Sequence, residues 1–498
     1  MMGATKIATR RYPRHSLQST SSTPSWAVAC FLITLSFVTK RCLALTAAPV
    51  TYNAKPQAVL SPMSVSRSVP PFRGVLAYVS HPFLLHHRYI ARNSVTLHSS
   101  SSSISIDVDD ISNPFSKIHG KTLLSIQECI SVSNFYRDSL QKHANDNENS
   151  QNKIPPQKLV FVDGSWYHRP DPITNLFRNP SLEFQTGPRL PNARYLDMDA
   201  IASSQELFPE RNPKGLMHMM PTGRLFRLAM DAFGISGGAG SGMDDHVDHV
   251  IIYAKRGALF TPRIWFLFVS MGHDPDRVHL MQGSLEDWIE EGGEVEDFSL
   301  LGSEDGEREG TVGYGFERFF DQGILNVTRL FHEYYHTEEV QTRYRSSVEE
   351  ALNICGKQDV LNAVNAFLEQ GESKRNGDGL VDDNTIIIDT RGSGYKRKGH
   401  MPSAIHLPYS QLASADNPLV LRPKEELRKL FIERGIDVMN PKQKIILSCG
   451  SGVSVCHGYL AMKILGREMT EENTRIYDGS WMEWGRDDED NPKIFPTI

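Results

Sequence analysis

Short apolar runs bounded by turn residues recur in two stretches of the chain, separated by a long polar interval. In the first stretch, KLVFVDGSW (158–166), HVIIYA (249–254) and RVHLM (277–281) read as strands. Between the last two, PRIWFLFVSMG (262–272) has helical length, with Pro262 where a helix starts and Gly272 where it stops. In the second stretch, NTIIIDTR (384–391), QKIILSC (443–449) and TRIYDGSW (474–481) alternate with PKEELRKLFIERG (423–435) and GVSVCHGYLAMKILG (452–466). Strand and helix signals in alternation predict an α/β fold, each stretch forming a central, mostly parallel sheet flanked by helices.

The two stretches also answer each other piece by piece. KLVFVDGSW matches NTIIIDTR, HVIIYAKRGALFTPRIWFLF matches KIILSCGSGVSVCHGYLAMKIL, and VHLMQGSLEDW matches TRIYDGSWMEW. The last pair share a D/Q-G-S-x-x-x-W turn. The chain therefore reads as an internal duplication, and 498 residues suit two domains better than one. The expected boundaries are 116–290 for the first domain, 291–379 for an acidic, then helical, then turn-rich linker, and 380–498 for the second domain. Serine-rich Ser99–Ser103 and polar Asn145–Lys158 read as loops.

Charge separates a third region. Residues 1–106 contain no Asp or Glu but eleven of the 53 Lys and Arg, so the remainder sets 42 basic residues against 59 acidic ones, a net charge of −17. An acid-free, Ser- and Arg-rich leader has the composition of a disordered, cleaved organelle presequence. Within it WAVACFLITLSFV (26–38) is short for a membrane span and suits a signal-peptide core. A bipartite signal-plus-transit leader, a mitochondrial presequence, a short membrane anchor and a leader without a destination all remain open. The expected compartment is an organelle matrix, mitochondrion or plastid. No other run is apolar enough to span a bilayer, so the mature form is expected not to be membrane-embedded. The acidic body argues against nucleic acid as a partner.

Of the six cysteines, Cys30 and Cys42 lie in the leader, Cys129 stands alone ahead of the first apolar run and Cys355 falls in an expected linker helix. Cys449 and Cys456 are seven apart, which is not a C-x-x-C spacing. No metal site or disulfide framework is implied.

Cys449 ends a strand and enters CGSGVS. A cysteine there, followed by small residues, allows successive backbone N–H groups to curl around its sulfur as an anion-binding nest. The helix starting near Val453 adds its positive end. Both effects favour a thiolate or persulfide anion. A cysteine phosphatase would need an arginine about six positions on to grip phosphate, and Val455 stands there. Sulfur transfer needs only a cysteine that takes a sulfane sulfur and passes it to an acceptor thiol. The alternative is an inert, buried cysteine. In the first stretch the matching loop, YAKRGALF, has Lys255, Arg256 and Gly257 but no thiol, so it cannot form a persulfide.

Taken as a set, VDGSWY, HMMP, TPRIWFLF, GHMPSA, CGSGV and YDGSW resemble the two-domain rhodanese sulfurtransferases, specifically the 3-mercaptopyruvate sulfurtransferase branch. The resemblance covers about residues 158–290 and 384–490. It implies two tandem rhodanese-like domains, the first catalytically silent and the second active through a Cys449 persulfide. The implied donor is a small sulfane-sulfur compound, 3-mercaptopyruvate before thiosulfate. The implied acceptor is cyanide or a thiol such as a thioredoxin-like protein, with no cofactor.

The resemblance also implies site residues. Ser451 would relay a proton or donate to the leaving enolate. Asp199 in YLDMD and His218 in LMHMMP would complete a Ser-centred relay from the first domain. Gly450, Gly452, Val453 and Ser454 would form the cradle. The family's two-arginine loop after the D-x-R strand end is shortened here, leaving Lys396, Arg397 and Lys398 as nearby cations. Lys396 and Arg397 replace the pair or form a solvated turn. Arg391, His400 and Trp481 read as structural. A rhodanese fold used without catalysis, as a sulfur carrier or recruitment module, is the alternative function.

Overall fold

Each half builds one five-stranded sheet, and the two sheets have the same strand order. We label the strands of these two sheets β1 (Leu123–Leu124), β2 (Leu159–Asp163), β3 (Arg194–Tyr195), β4 (His249–Tyr253), β5 (Val278–Met281), β6 (Ile354–Cys355), β7 (Ile386–Asp389), β8 (Ile405–His406), β9 (Ile445–Ser448) and β10 (Thr474–Tyr477). The orders are β1-β5-β4-β2-β3 and β6-β10-β9-β7-β8, with all neighbours parallel. This computed structural model describes residues 113–146, 158–237, 247–297, 313, 315–344, 349–376, 385–488 and 490–495. They belong to one compact unit that runs from Ser100 to Ile498. The leader, with its 26–38 core, lies outside the described residues.

The central strands β2, β4 and β9 are buried at every position. Helices cover both faces of such sheets, which is why these strands read as continuous apolar runs rather than alternating ones. Five helices matter here: α1 (Ile126–Asp146), α2 (Thr261–Ser270), α3 (Lys357–Asn376), α4 (Lys424–Ile432) and α5 (Val455–Leu465). Pro262 sits in the first turn of α2, where its missing N–H costs nothing. Gly466 ends α5 in the left-handed conformation, at φ 95°.

Corresponding helices α2 and α5 meet each other. Phe266 and Tyr459 pack edge to face at 4.9 Å, and Phe260 meets His457 at 5.7 Å. One hydrophobic core therefore runs from Val160 and Phe266 through to Leu447 and Cys449. The outer faces close separately, around Trp288 in the first half and Trp484 in the second.

The expected linker 291–379 is more than a connection. Its end supplies the edge strand β6, paired to β10 through Ile354↔Ile476 and Cys355↔Tyr477. Helix α3 then packs Val360 and Val364 into the cluster around Trp484. The second sheet thus begins before residue 380, and Cys355 lies in a strand rather than a linker helix. A two-residue strand has no readable alternation, so only its pairing reveals it. The same unit opens the first half, where Cys129 on α1 is buried with Leu124 and Trp288 instead of standing apart. Residues 315–344 dock on the first half, where the Tyr335 and Thr222 hydroxyls meet at 3.1 Å.

Candidate active site

Cys449 is the first residue beyond β9, at the edge where parallel strands leave their loops. Its neighbour there is the end of β7, whose Thr390 N–H donates to the Ser448 carbonyl at 2.9 Å. Only 1% of Cys449 is exposed. The DGSWMEW turn holds it from the other side: Trp481 N–H donates to the Cys449 carbonyl at 3.0 Å and Met482 N–H to the Gly450 carbonyl at 2.8 Å. The Cys449 N–H donates to Ser480 Oγ at 3.1 Å, and that hydroxyl lies 3.9 Å from Cys449 Sγ. The hydroxyl has one proton and also reaches the Tyr477 carbonyl at 2.7 Å. An ionised sulfur competes for that proton better than a neutral thiol does.

The N–H groups of Gly450, Ser451, Gly452, Val453 and Ser454 donate to no acceptor among the described residues. Five consecutive unengaged donors lead directly into the N-terminus of α5, which is eleven residues long. Such a run is a cradle for negative charge. Gly452 is essential to its shape, with φ at 77° and a position where a Cβ would come within 2.5 Å of Asp478 Oδ1. Ser451 and Ser454 are half-buried, and Val453 is buried.

The first half reaches this loop through buried Arg263 on α2. Its Nη1 donates to the Gly452 carbonyl at 2.9 Å and to Asp478 Oδ1 at 3.1 Å, while Nη2 donates to the His218 carbonyl at 2.5 Å. Met220 N–H closes the circuit on Asp478 Oδ2 at 2.6 Å. Burial works against the guanidinium charge, but Asp478 and Cys456 together outweigh it and keep the Arg263 pKa above its ordinary value. One guanidinium thus ties the His218 segment to the Cys449 loop.

His218 Nδ1 is hydrogen-bonded to Asp199 Oδ1, and Trp166 Nε1–H donates to Asp199 Oδ2 at 2.8 Å. The His218 and Trp166 rings meet edge to face at 5.2 Å. Burial disfavours the Asp199 carboxylate, yet the hydrogen bond and charge of His218, with the Trp166 donor, bring its pKa below the usual carboxylate value. Burial pushes the Cys456 thiol up to about 12, outweighing the opposing pull of the Arg263 guanidinium.

Asp199 and His218 are therefore paired and joined to the Cys449 loop. Lys396 and Arg397 are placed differently. They lie on the short helix Gly394–Arg397 with exposed side chains, Arg397 donating to Ser393 Oγ at 3.0 Å. Neither contacts the cysteine loop among the described residues. Arg391 grips Asp389, donates to the Gly399 carbonyl at 2.9 Å and stacks over Trp481 at 4.4 Å. His400 stacks on Tyr395 at 4.1 Å.

Sequence reasoning did not single out Ser480, Asp478, Arg263 or Trp166. The first two lie in the repeated turn D/Q-G-S, and Trp166 and Arg263 lie in VDGSW and TPRIW, so the duplicated motifs carried a signal without a role. Their contacts span 31 residues for Ser480 with Cys449, 33 for Trp166 with Asp199, 189 for Arg263 with Gly452 and 258 for Asp478 with Met220.

In the first half Ala254 stands where Cys449 does. Leu285 N–H donates to the Ala254 carbonyl at 2.9 Å, as Trp481 does to Cys449. The next residue, Lys255, turns its amine to the Glu183 carbonyl at 2.6 Å.

Comparison with known proteins gives this architecture relatives. Residues 346–487 match the family of the rhodanese-like domain. Over 327 residues the chain is 27% identical to thiosulfate/3-mercaptopyruvate sulfurtransferase 1, mitochondrial, of Arabidopsis thaliana, covering 66% of this chain and 71% of that one. It is 23% identical to 3-mercaptopyruvate sulfurtransferase of Mus musculus over 331 residues, covering 66% and 85%. Among solved structures it is similar to Tum1 protein from Saccharomyces cerevisiae, with 20% identity, a TM-score of 0.44 and coverage of 73% and 94%. The chain resembles the rhodanese-type sulfurtransferases.

Proposed function

We propose that this rhodanese-type chain is a sulfurtransferase that carries sulfane sulfur as a persulfide on Cys449. The observation that carries the proposal is the run of five unengaged N–H groups from Gly450 to Ser454 beside the Cys449 sulfur. Such a run stabilises a thiolate before the reaction and a persulfide anion after it.

With 3-mercaptopyruvate as donor, the Cys449 thiolate attacks the donor sulfur and an S–S bond forms. The donor C–S bond breaks and its electron pair goes to carbon, leaving the enolate of pyruvate. The proton that was on the donor thiol ends on that carbon, so pyruvate and the Cys449 persulfide anion are the products. An acceptor thiolate then attacks the outer sulfur and releases the Cys449 thiolate. Ser451 passes the proton, and the Asp199–His218 pair orients it from across the domain boundary. Gly450, Gly452, Val453 and Ser454 supply the cradle. Thiosulfate is the second donor, and the acceptor is cyanide or a thiol on a small thioredoxin-like protein. The acid-free leader directs the chain to an organelle, mitochondrion or plastid, and one relative carries "mitochondrial" in its name.

The second reading is a sulfur-binding or recruitment module without turnover. What favours it is the exposure of Lys396 and Arg397, which leaves the shortened loop without a cation on the cysteine. Intact mass of the purified protein after incubation with 3-mercaptopyruvate, and separately with thiosulfate, decides between them. The expected result is a gain of one sulfur atom that disappears in Cys449→Ser, with turnover when an acceptor thiol is added. A gain without turnover supports the carrier, and no gain from either donor overturns sulfur transfer.

A further inference from the structure

In the first half a cavity of about 260 Å³ lies beside the loop that takes the place of the cysteine loop, lined by Gly187, Pro188, Lys255, Leu285, Glu286 and Ile289. It is smaller than the roughly 300–1,000 Å³ of pockets for drug-sized ligands, so it suits a small molecule. Lys255 follows Ala254, the residue that stands where Cys449 does, and Leu285 supplies the N–H that holds the Ala254 carbonyl. The cavity thus occupies, in the half without a thiol, the surroundings of the residue that matches Cys449. Its lining contains no residue of the second half.

Two further charges at its rim satisfy each other. Arg178 forks onto both Glu183 oxygens at 2.7 Å, and the Tyr167 hydroxyl adds a third bond to that carboxylate at 2.8 Å. The other two charges are open. Buried Lys255 spends one of its three N–H donors on the Glu183 carbonyl at 2.6 Å and has no ion pair among the described residues. Burial holds the Lys255 pKa below its ordinary value, against the pull of Asp163, Glu183 and Glu286. Asp163 is a weak counter-charge, because burial pushes that carboxyl toward its neutral form. Glu286 accepts the Arg256 N–H at Oε2, and its Oε1 has no hydrogen bond among the described residues. A buried ammonium without a carboxylate partner is costly, and an anion brought in by a ligand offsets that cost.

We propose that this cavity binds a free α-amino acid with an aliphatic side chain, its carboxylate on Lys255, its ammonium on Glu286 and its side chain against Pro188, Leu285 and Ile289. Lys255 and Glu286 line one small cavity without pairing to each other, which leaves a cation and an anion open together. A zwitterion answers both, whereas a simple carboxylate or a simple amine answers one. Ile289 is 42% exposed, an apolar wall beside these charges that an aliphatic side chain covers. The site is separate from Cys449 and does not rest on the sulfur-transfer reading.

Calorimetry on the full chain tests this with three probes: L-valine, isovalerate, which is L-valine without its ammonium, and isobutylamine, which is L-valine without its carboxylate. Wild type is expected to bind L-valine and to bind each analogue at least about tenfold more weakly. Glu286→Gln keeps an acceptor for the Arg256 N–H but removes the charge, so it is expected to weaken L-valine by about 10- to 100-fold and to leave isovalerate unchanged. Lys255→Met is expected to weaken both by that factor. Should Lys255→Met fail to fold, the comparison of L-valine with isovalerate in Glu286→Gln decides alone. No binding of L-valine by wild type at up to about 10 mM overturns the site. Equal losses of L-valine and isovalerate in Glu286→Gln overturn it too, since a distorted cavity rather than a lost partner for the ammonium would then explain the effect.

Discussion

The two halves have one strand order and one pattern of loop-holding hydrogen bonds, yet they treat the loop after the central strand in opposite ways. In the first half the Arg256 N–H donates to Glu286 Oε2 at 2.8 Å, and the Arg256 side chain is bound by Asp287 at 2.6 Å and Glu290 at 3.2 Å. There the protein's own Glu286 carboxylate takes a backbone donor of the loop. In the second half no acceptor among the described residues engages the N–H groups of Gly450 to Ser454, and a thiol stands where Ala254 does in the first. On the proposed function, the difference teaches that one fold can engage the donors of this loop with its own groups or leave them open beside a cysteine. The first half instead reaches the second through Arg263, which donates to the Gly452 carbonyl and to Asp478.

The comparison breaks most severely at the cysteine. Cys449→Ser is expected to lower turnover by more than about 10³-fold and to abolish sulfur loading in the mass spectrum. Placing Ala254→Cys in that background is expected to restore neither, because Glu286 already takes the Arg256 N–H of that loop; recovered loading there would refute the contrast between the loops. Removing the guanidinium that joins the halves comes next. Arg263→Met leaves Asp478 buried without its ion-pair partner and is expected to cost about 3–5 kcal/mol in denaturant unfolding. The double variant Arg263→Met with Asp478→Leu should cost less than the sum of the two single variants.

Gly452→Ala meets both a left-handed backbone and Asp478 Oδ1 at 2.5 Å. A loss of about 1–3 kcal/mol in thermal unfolding and weaker sulfur loading are expected. Paired serines sharpen the comparison further. Ser284 caps the helix Leu285–Glu290 with a reciprocal bond to Asp287, so Ser284→Ala is expected to cost about 1 kcal/mol of stability and leave turnover unchanged. Ser480→Ala removes the acceptor of the Cys449 N–H and the hydroxyl beside its sulfur, so it should cost a similar amount and also slow turnover, by about tenfold.

The smallest effect lies at acid pH. Folding holds the Asp199 pKa below its ordinary value, so its ionised form contributes stability above the unfolded carboxylate value of about 3.9. That contribution fades as pH falls through the lower folded value. Asp199→Asn is therefore expected to lose that contribution at neutral pH and to flatten the stability profile below about pH 4. An unchanged acid limb would show that the bond to His218 does not favour the carboxylate.

Much of the fold was legible because the central strands are buried on both faces and the helices α2 and α5 on most of theirs. The runs 249–254, 262–272, 443–449 and 452–466 fall on β4, α2, β9 and α5 with small shifts at their ends. The loop Cys449–Ser454 was legible too, since a cysteine between a strand and a helix among glycines has few other readings. Lys396 and Arg397 were visible only as nearby charge, and proximity in the chain did not bring them to the loop.

What the sequence determined by itself was the duplication, the parallel α/β class and the cysteine loop. Each depends on local patterning: apolar period, turn residues and small side chains within a dozen positions. Tertiary structure decided that Ile354–Cys355 is an edge strand, that Arg263 and Asp478 form a buried pair, and that Ser480 faces the sulfur. These relations join groups that are separate in the chain, and the folded packing sets which hydrogen bonds are made and which donors are left open.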